Sequence, residues 1–158
     1  MLSWKGFQKA FEYINLIEQG MVCTLSLSAL TVLFGFILAL FLAICRLSNF
    51  KPAKYLATVY VEVIRATPML VQLFIVYNIL LAGVSLPRFK LFGFIRFERF
   101  LPGVIALSLN SGAYLCEIIR SGIQSIDLGQ TEAARSLGMT QWQNMQLIVL
   151  PQAIKNIL

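Results

Sequence analysis

The chain has 158 residues, of which 58% are hydrophobic and 13% are charged. Soluble domains are about 45–50% apolar and about 25% charged, so the composition excludes a soluble globular or disordered protein and indicates one that lies in lipid. The chain contains no histidine, which removes His-dependent acid–base catalysis and the commonest transition-metal ligand. We therefore expect no catalytic residue and no metal site.

Thirteen Lys and Arg residues against seven Asp and Glu give a formal net charge of +6. The basic residues lie singly between apolar blocks and form no groove with stacking aromatic residues, so no nucleic-acid partner is expected. Positive flanks of membrane spans explain the charge. The three cysteines, Cys23, Cys45 and Cys116, lie too far apart for a zinc or redox site and are predicted to be small buried side chains.

The first predicted element is a membrane span at residues 19–45, which carry no charge. As a helix this stretch is about 40 Å long, enough to cross a hydrocarbon core of about 30 Å. It is too long for a signal-peptide core, and no small-residue cleavage site follows it, so we expect it to be retained. Small residues recur along it every four positions and predict close packing against another helix; they are Thr31, Gly35, Ala39 and Ala43.

The second predicted span, residues 66–87, is also free of charge. Thr67 and Pro68 at its start are predicted to be the N-cap and first-turn residues of its helix. Just upstream, apolar residues at helical spacing predict an amphipathic helix that lies in the membrane interface. These apolar residues are Tyr55, Leu56, Val59, Tyr60, Val63 and Ile64.

The link at 88–99 alternates basic residues with phenylalanines, a mixture that suits the lipid headgroup layer. A third span is predicted at about 100–119. Near its end, Glu117 and Arg120 are expected to pair, as are Glu62 and Arg65 before the second span. The first linker and the region after the third span hold seven Lys and Arg, and the tail and second linker hold six, which favours an extracytoplasmic N-terminus.

From Asp127 the sequence predicts a compact elbow of two short helices. Asp127 with Gln130 forms a potential capping box, and Gly138 supplies the left-handed residue that ends the first helix. Thr140 with Gln143 repeats the capping box. The second helix is predicted to run toward Leu150 and to stop or kink at Pro151.

The elbow also resembles a known pattern. Glu132-Ala133-Ala134, three residues, Gly138, nine residues, Ile148, one residue and Leu150-Pro151 match the EAA loop of the membrane subunits of bacterial ABC importers at every fixed position. Three flanking motifs are similar to permeases for polar amino acids, including the glutamine, histidine and arginine importers. These motifs are RATPML at 65–70, AYLCEIIRSGI at 113–123 and GQ at 129–130.

This resemblance implies an all-α, multi-pass protein of the bacterial cytoplasmic (inner) membrane with the transmembrane domain of a type I ABC importer. Residues 1–18 would be an extracytoplasmic tail and residues 19–158 the transmembrane domain. That domain would contain three complete spans, cytoplasmic coupling helices and an incomplete fourth span, at about 19–45, 66–87, 100–119, 127–150 and from 148. Because the family continues for about two more spans, the sequence is expected to be a trimmed or truncated piece.

The resemblance further implies a permease subunit that imports a polar amino acid at the expense of ATP. ABC ATPase subunits would bind ATP and Mg, whereas this chain has no Gly-rich phosphate loop and is expected to bind no cofactor. The other implied partners are a second permease subunit, identical or not, an extracytoplasmic solute-binding protein and membrane lipid. The residues implied in coupling to the ATPase are Gln130, Glu132, Ala133, Ala134, Leu137, Gly138 and Trp142.

Polar residues within the spans are candidates for the substrate pathway, because polar groups in lipid are costly unless they have a function or a partner. They are Gln72, Asn78, Ser108, Asn110 and Ser111. A hydrogen bond between helices is an equal explanation for Asn110. The alternatives for the whole chain are a permease for another solute, or a non-transporting membrane scaffold or truncated product.

Overall fold

The computed structural model describes residues 13–157, apart from the side chains of residues 80–82. The predicted tail up to residue 12 and the final Leu158 lie outside the described residues. The elements in chain order are α1 (Ile14–Leu47), α2 (Lys51–Ala66), α3 (Met69–Gly83), β1 (Lys90–Leu91), β2 (Ile95–Arg96), α4 (Phe97–Gln124), α5 (Leu128–Ser136), α6 (Gln141–Asn144), a π turn (Met145–Val149) and α7 (Leu150–Ile157).

Within residues 13–157, two helices, α1 and α4, are long and apolar enough to cross a membrane. Their 34 and 28 residues correspond to about 51 and 42 Å at 1.5 Å per residue, more than the roughly 30 Å of a hydrocarbon core. They contain the first and third predicted spans. The chain is therefore a membrane protein built on at least two apolar helices.

The predicted second span is not one straight helix. α2 and α3 meet at a bend of 108°, and α3 has only 15 residues, about 22 Å, so it crosses only if the bent pair forms one span. The predicted N-cap role of Thr67 is wrong. Thr67 ends α2, where its hydroxyl donates to the carbonyl oxygen of Val63 at 3.0 Å, and Pro68 precedes the first residue of α3.

α2 is confirmed as an amphipathic helix, but it uses its apolar residues differently from the prediction. Ala57 and Val61 are buried in the main core, with Tyr60 and Ile64 packed beside them. Tyr55 and Leu56 remain about 70% exposed. The face of α2 that carries Ala57 and Val61 therefore meets the other helices, and Tyr55 and Leu56 face outward.

The core forms where α1 packs along α4. The four small residues predicted to form a packing ridge are all buried. At Gly35, an added Cβ would lie 3.1 Å from the Cβ of Ser111 on α4, and at Gly112 it would lie 2.8 Å from Leu38 on α1. Glycine on both helices thus permits the close approach. Cys116 is buried in this core as predicted, whereas Cys23 and Cys45 are only partly buried.

Residues 90–96 form a β-hairpin, which corrects the expectation of an all-α chain. Lys90 pairs with Arg96 and Leu91 with Ile95 in an antiparallel register. The turn places Phe92 at φ 52° and Gly93 at φ 78°, and Phe92 is 72% exposed. A left-handed phenylalanine is uncommon, which is why periodicity and composition did not predict this turn.

The last helix continues through Pro151, so of the predicted alternatives, a stop or a kink, the stop does not occur. Just before Pro151 the helix widens into the π turn, where the N–H of Leu150 donates to the carbonyl oxygen of Met145. Pro151 has no N–H to continue an α-helical ladder, and a wider turn accommodates its ring. α7 then packs on α4 at Gly122, where an added Cβ would lie 2.5 Å from Ile157.

We predict that Gly35→Leu separates α1 from α4 and lowers stability by about 1–3 kcal/mol, the usual cost of overpacking a tight contact. Gly20→Leu is the matched control, because Gly20 lies on the same helix and no atom of the described residues comes within 4 Å of an added Cβ. Thermal unfolding of the protein in detergent measures the difference. Equal melting temperatures for the two variants would contradict the packing role of Gly35.

Candidate functional site

The first helix of the elbow begins as the sequence predicts, with one difference. The side chain of Asp127 accepts a hydrogen bond from the N–H of Gly129 at 2.6 Å. The predicted return bond from Gln130 does not form; its side-chain oxygen instead lies 3.5 Å from Nε2 of Gln152 on α7. Asp127 is thus an N-cap without a capping box.

The bend and the second cap are confirmed. Gly138 adopts φ +80°, and the N–H of Met139 donates to the carbonyl oxygen of Ala134 at 3.1 Å. Thr140 and Gln143 form the predicted capping box: the Gln143 N–H donates to Oγ1 of Thr140 at 3.3 Å, and the Thr140 N–H donates to Oε1 of Gln143 at 2.9 Å. Backbone conformation and side-chain caps together fix the angle between the two helices.

A buried asparagine ties the two arms of the elbow together. Asn144 on α6 is 7% exposed, and its Nδ2 donates to Oγ1 of Thr131 on α5 at 3.3 Å. Its Oδ1 has no hydrogen-bond partner within the described part of the chain. A bond between side chains 13 residues apart makes the elbow a unit rather than two independent turns.

The elbow exposes large apolar side chains, which we call the elbow surface: Leu128, Leu137 and Trp142. They are 78%, 83% and 69% exposed. Such exposed anchors favour a partner. Leu137 and Trp142 were expected there; Leu128 was missed, although its place directly after the N-cap could have indicated it.

Of the other residues implied in coupling, Gln130, Glu132, Ala133 and Gly138 are exposed. Ala134 differs from these residues, because it is only 3% exposed. Ala134 packs inside the elbow, where a small side chain lets the two arms approach.

A cluster of charged residues lies on the side of α1, α2 and α4 nearest the elbow. We call it the Glu117 cluster. Glu117 on α4 is paired with Arg46 on α1, with Arg65 on α2 at 3.5 Å and with Arg120 at 2.6 Å. Arg46 is only 8% exposed and Glu117 19%. One carboxylate thus joins three helices.

The cluster confirms one predicted pair and corrects another. Glu117 and Arg120 pair as expected. Glu62 and Arg65 form no ion pair within residues 13–157; Arg65 turns to Glu117 instead, with its guanidinium carbon 5.7 Å from the ring centroid of Tyr114. Sequence reasoning missed Arg46 because its partner lies 71 positions away.

Two of the five candidate substrate residues meet. Nδ2 of Asn110 on α4 donates to Oε1 of Gln72 on α3 at 3.0 Å. Gln72 in turn donates to the carbonyl oxygen of Ile64 at 2.7 Å and to Oγ1 of Thr67 at 2.7 Å. The pair therefore connects the α2–α3 bend to α4. This connection between helices explains why polar side chains lie at these positions.

The other three candidates form no hydrogen bond with this pair among the described residues. Asn78 donates locally to the carbonyl oxygen of Phe74 at 2.7 Å. Ser108 lines a cavity of about 290 Å³ with Phe34 and Leu38 of α1, and its buried Oγ has no partner among the described residues. Ser111 lies against Gly35. The five residues do not converge on a single site in this chain.

The chain is similar in sequence to known transport proteins. A family model described as "Binding-protein-dependent transport system inner membrane component" matches residues 21–158. The chain is 42% identical over 151 residues to the arginine transport system permease protein ArtQ of Bacillus subtilis, covering 96% of this chain and 65% of that protein. It is 39% identical over 154 residues to the L-cystine transport system permease protein TcyB of the same organism, covering 98% and 61%. The chain thus spans less than two thirds of the length of these relatives.

Two solved structures of ABC transporters also resemble this chain. An amino acid ABC transporter crystallised with histidines has 46% sequence identity and a TM-score of 0.82, over 96% of this chain and 66% of that one. The MetNI methionine ABC transporter, in an inward-facing conformation, has a TM-score of 0.65 at 17% identity, over 92% and 66%. The second likeness concerns the fold alone.

We predict that Glu117→Gln lowers the free energy of unfolding by about 1–3 kcal/mol, because three guanidiniums lose the carboxylate they share in a partly buried setting. Glu62→Gln is the control, since Glu62 is exposed and such surface changes stay within about 0.5 kcal/mol. Denaturation in detergent micelles at neutral pH measures both. A Glu117→Gln protein as stable as the control would show that the cluster contributes little.

Proposed function

The chain belongs to the family of binding-protein-dependent transport system inner membrane components, and from this premise we propose that it is the permease subunit of an ATP-driven amino-acid importer. The family match covers residues 21–158, and the helices have the fold of a type I ABC transporter membrane domain. As in its relatives, we place the chain in the bacterial inner membrane, as a multi-pass subunit and not an enzyme.

The substrate class follows from the names of the relatives. Proteins 38 to 42% identical to this chain are named as permeases for arginine, for L-cystine and, putatively, for glutamine. These solutes are all amino acids with polar or charged groups. We therefore propose a polar amino acid as the substrate, with Gln72 and Asn110 as the part of the pathway to test first.

The elbow surface is the observation that carries the coupling proposal. Leu137 and Trp142 are 83% and 69% exposed on a rigid bend, as expected of a hydrophobic anchor that a partner covers. We propose that ABC ATPase subunits, which would bind ATP and Mg, dock here. The exposed Glu132 supplies a polar contact beside this apolar surface.

The position of the elbow in the fold supports opposite roles for the two ends of α4. The β-hairpin precedes the first residue of α4, and the elbow follows its last turn, so about 42 Å of helix separates them. If the elbow faces the cytosol, the hairpin faces the outside, where a solute-binding protein would deliver substrate. A second permease subunit, identical or related, would complete the pathway between these faces.

Rigid connections would convert ATPase closure into movement of the spans. The capped, Asn144-tied elbow passes force to α7, and α7 packs on α4 at Gly122. The Glu117 cluster then joins α4 to α1 and α2. A coupling mechanism needs an element with two discrete arrangements that both sites bias, and we propose that this helix group is that element.

We predict that Trp142→Ser weakens association with the ATPase subunit at least tenfold, because a large aromatic anchor in an interface carries much of its binding energy. The full-length permease and its ATPase are reconstituted in nanodiscs, and affinity and ATP hydrolysis are measured. Phe92→Ser is the matched control, because Phe92 is similarly exposed, at 72%, but lies at the other end of α4.

Two results would contradict the docking site. One is wild-type ATPase affinity in Trp142→Ser. The other is an equal loss in Phe92→Ser, which would indicate a general effect of removing an exposed aromatic residue. The melting temperature of each variant is measured in parallel to show that the elbow is folded.

We predict opposite accessibility for the elbow and the hairpin in whole cells. In cells that lack the ATPase subunit proposed to cover it, Leu137→Cys should react with a membrane-impermeant maleimide only after lysis, and Phe92→Cys should react in intact cells. Both positions are more than two thirds exposed, so burial does not explain a difference. Peptide mass spectrometry separates the new thiols from the three native cysteines. Labelling of Leu137→Cys from outside intact cells would overturn the orientation and the importer assignment.

A further inference from the structure

The β-hairpin carries a concentration of positive charge that the described chain does not neutralise. Residues 88–99 contain four cations and a single carboxylate, Glu98. Within residues 13–157 every ion pair involves Glu117, which lies near the end of α4 that is farther from the hairpin. None of these ion pairs involves a hairpin residue. The hairpin cations are Arg88, Lys90, Arg96 and Arg99.

The register makes this charge unfavourable for an isolated hairpin. Lys90 and Arg96 are direct cross-strand partners, and both are exposed. Like charges opposite each other destabilise a strand pair. An anion bound between or beside them would remove the repulsion.

A cavity lies beside these cations. It has a volume of about 390 Å³ and is lined by Arg96 and Arg99, by Tyr77 of α3 and by apolar residues of α1 and α4, including Leu27 and Phe100. Cavities of about 300–1,000 Å³ hold small ligands. The hydroxyl of Tyr77 donates to the carbonyl oxygen of Arg99 at 2.5 Å, which fixes the Arg99 backbone at the edge of the cavity.

The site has one cationic side and one apolar side, and the apolar face of α1 beside it is partly exposed. On α1, Phe34 lies three turns beyond the cavity-lining Cys23 on the same helix face and is 50% exposed. The cavity lies at the first two turns of α4, where a spanning helix enters the membrane. A soluble anion would use only the guanidiniums, whereas a phospholipid would also place its acyl chains along the exposed flank of α1.

We propose that this cavity binds the glycerophosphate headgroup of an anionic phospholipid, with Arg96 and Arg99 contacting the phosphate. Guanidinium groups match phosphate geometry, and basic pockets between membrane helices attract anionic lipids. The lipid would anchor the hairpin at the headgroup layer. This proposal requires only that the chain lies in a membrane, so it stands or falls separately from transport.

The test is native mass spectrometry of the delipidated full-length chain with phosphatidylglycerol and phosphatidylcholine. We expect phosphatidylglycerol to bind more tightly, and R96Q/R99Q to weaken it about tenfold or more, since each basic residue near a membrane surface contributes appreciably to anionic-lipid binding. R96K/R99K, which keeps the charge but not the guanidinium geometry, should retain more of the preference than R96Q/R99Q. K51Q/K54Q, which removes equal charge from α2, should not change it.

Cys23 gives an independent measurement in the unmodified protein. Because it lines the cavity, saturating phosphatidylglycerol should slow its alkylation at least threefold, while alkylation of the partly buried Cys45 at the other end of α1 stays unchanged. Phosphatidylcholine should protect neither thiol.

Four outcomes would overturn the proposal. The first is no preference for phosphatidylglycerol, and the second is an equal loss in K51Q/K54Q. The third is displacement of the lipid by inorganic phosphate or free glycerol phosphate at similar concentration, which would identify a soluble anion as the ligand. The fourth is an unchanged lipid preference in R96Q/R99Q together with lost binding of the solute-binding protein, which would make the hairpin a protein-docking surface.

Discussion

The close contact between α1 and α4 is the interaction on which the rest of the structure depends. In lipid no hydrophobic effect brings two apolar helices together. The helices associate instead through dispersion contacts, which require their backbones to lie close to each other. The buried ridge on α1 and Gly112 on α4 provide that separation. α4 carries the hairpin at one end and leads into the elbow at the other, so this contact positions both functional regions.

The sequence predicted the features that depend on local pattern. The charge-free stretch at 19–45, the four-residue spacing of small side chains and the caps at Asp127 and Thr140 each have a local physical signature, and the structure has each of them. Gly138 belongs to this group because only a left-handed residue ends a helix in that way. The spacing of the EAA residues also indicated the protein family, which hydrophobic periodicity and helix caps do not identify.

The features that the sequence did not predict depend on partners distant in the chain or on backbone strain. Arg46 and Arg65 meet Glu117 across three helices, and i,i+3 spacing suggested the nearer partner Glu62 instead. Thr67 followed by Pro68 resembles a helix start, but the same residues also suit a helix end before a sharp bend. Phe92 gives no signal for a left-handed turn, because its side chain does not favour that conformation.

Charge and packing act on the same helices but at different depths. The small-residue ridge fixes how closely α1 and α4 approach, while the Glu117 cluster fixes their rotation and attaches α2 near the elbow side. Small residues tolerate sliding, because their contacts are non-directional, whereas a carboxylate shared by three guanidiniums requires one geometry. If the elbow is the docking site that we propose, a force applied there reaches a helix group that resists twisting near the cluster. Toward the hairpin the described residues show no such ion pairs. There α4 is held by packing and by the hydrogen bond from Tyr77 of α3 to the carbonyl oxygen of Arg99. Movement between two arrangements would therefore be largest at the hairpin end, the end at which we propose that substrate enters.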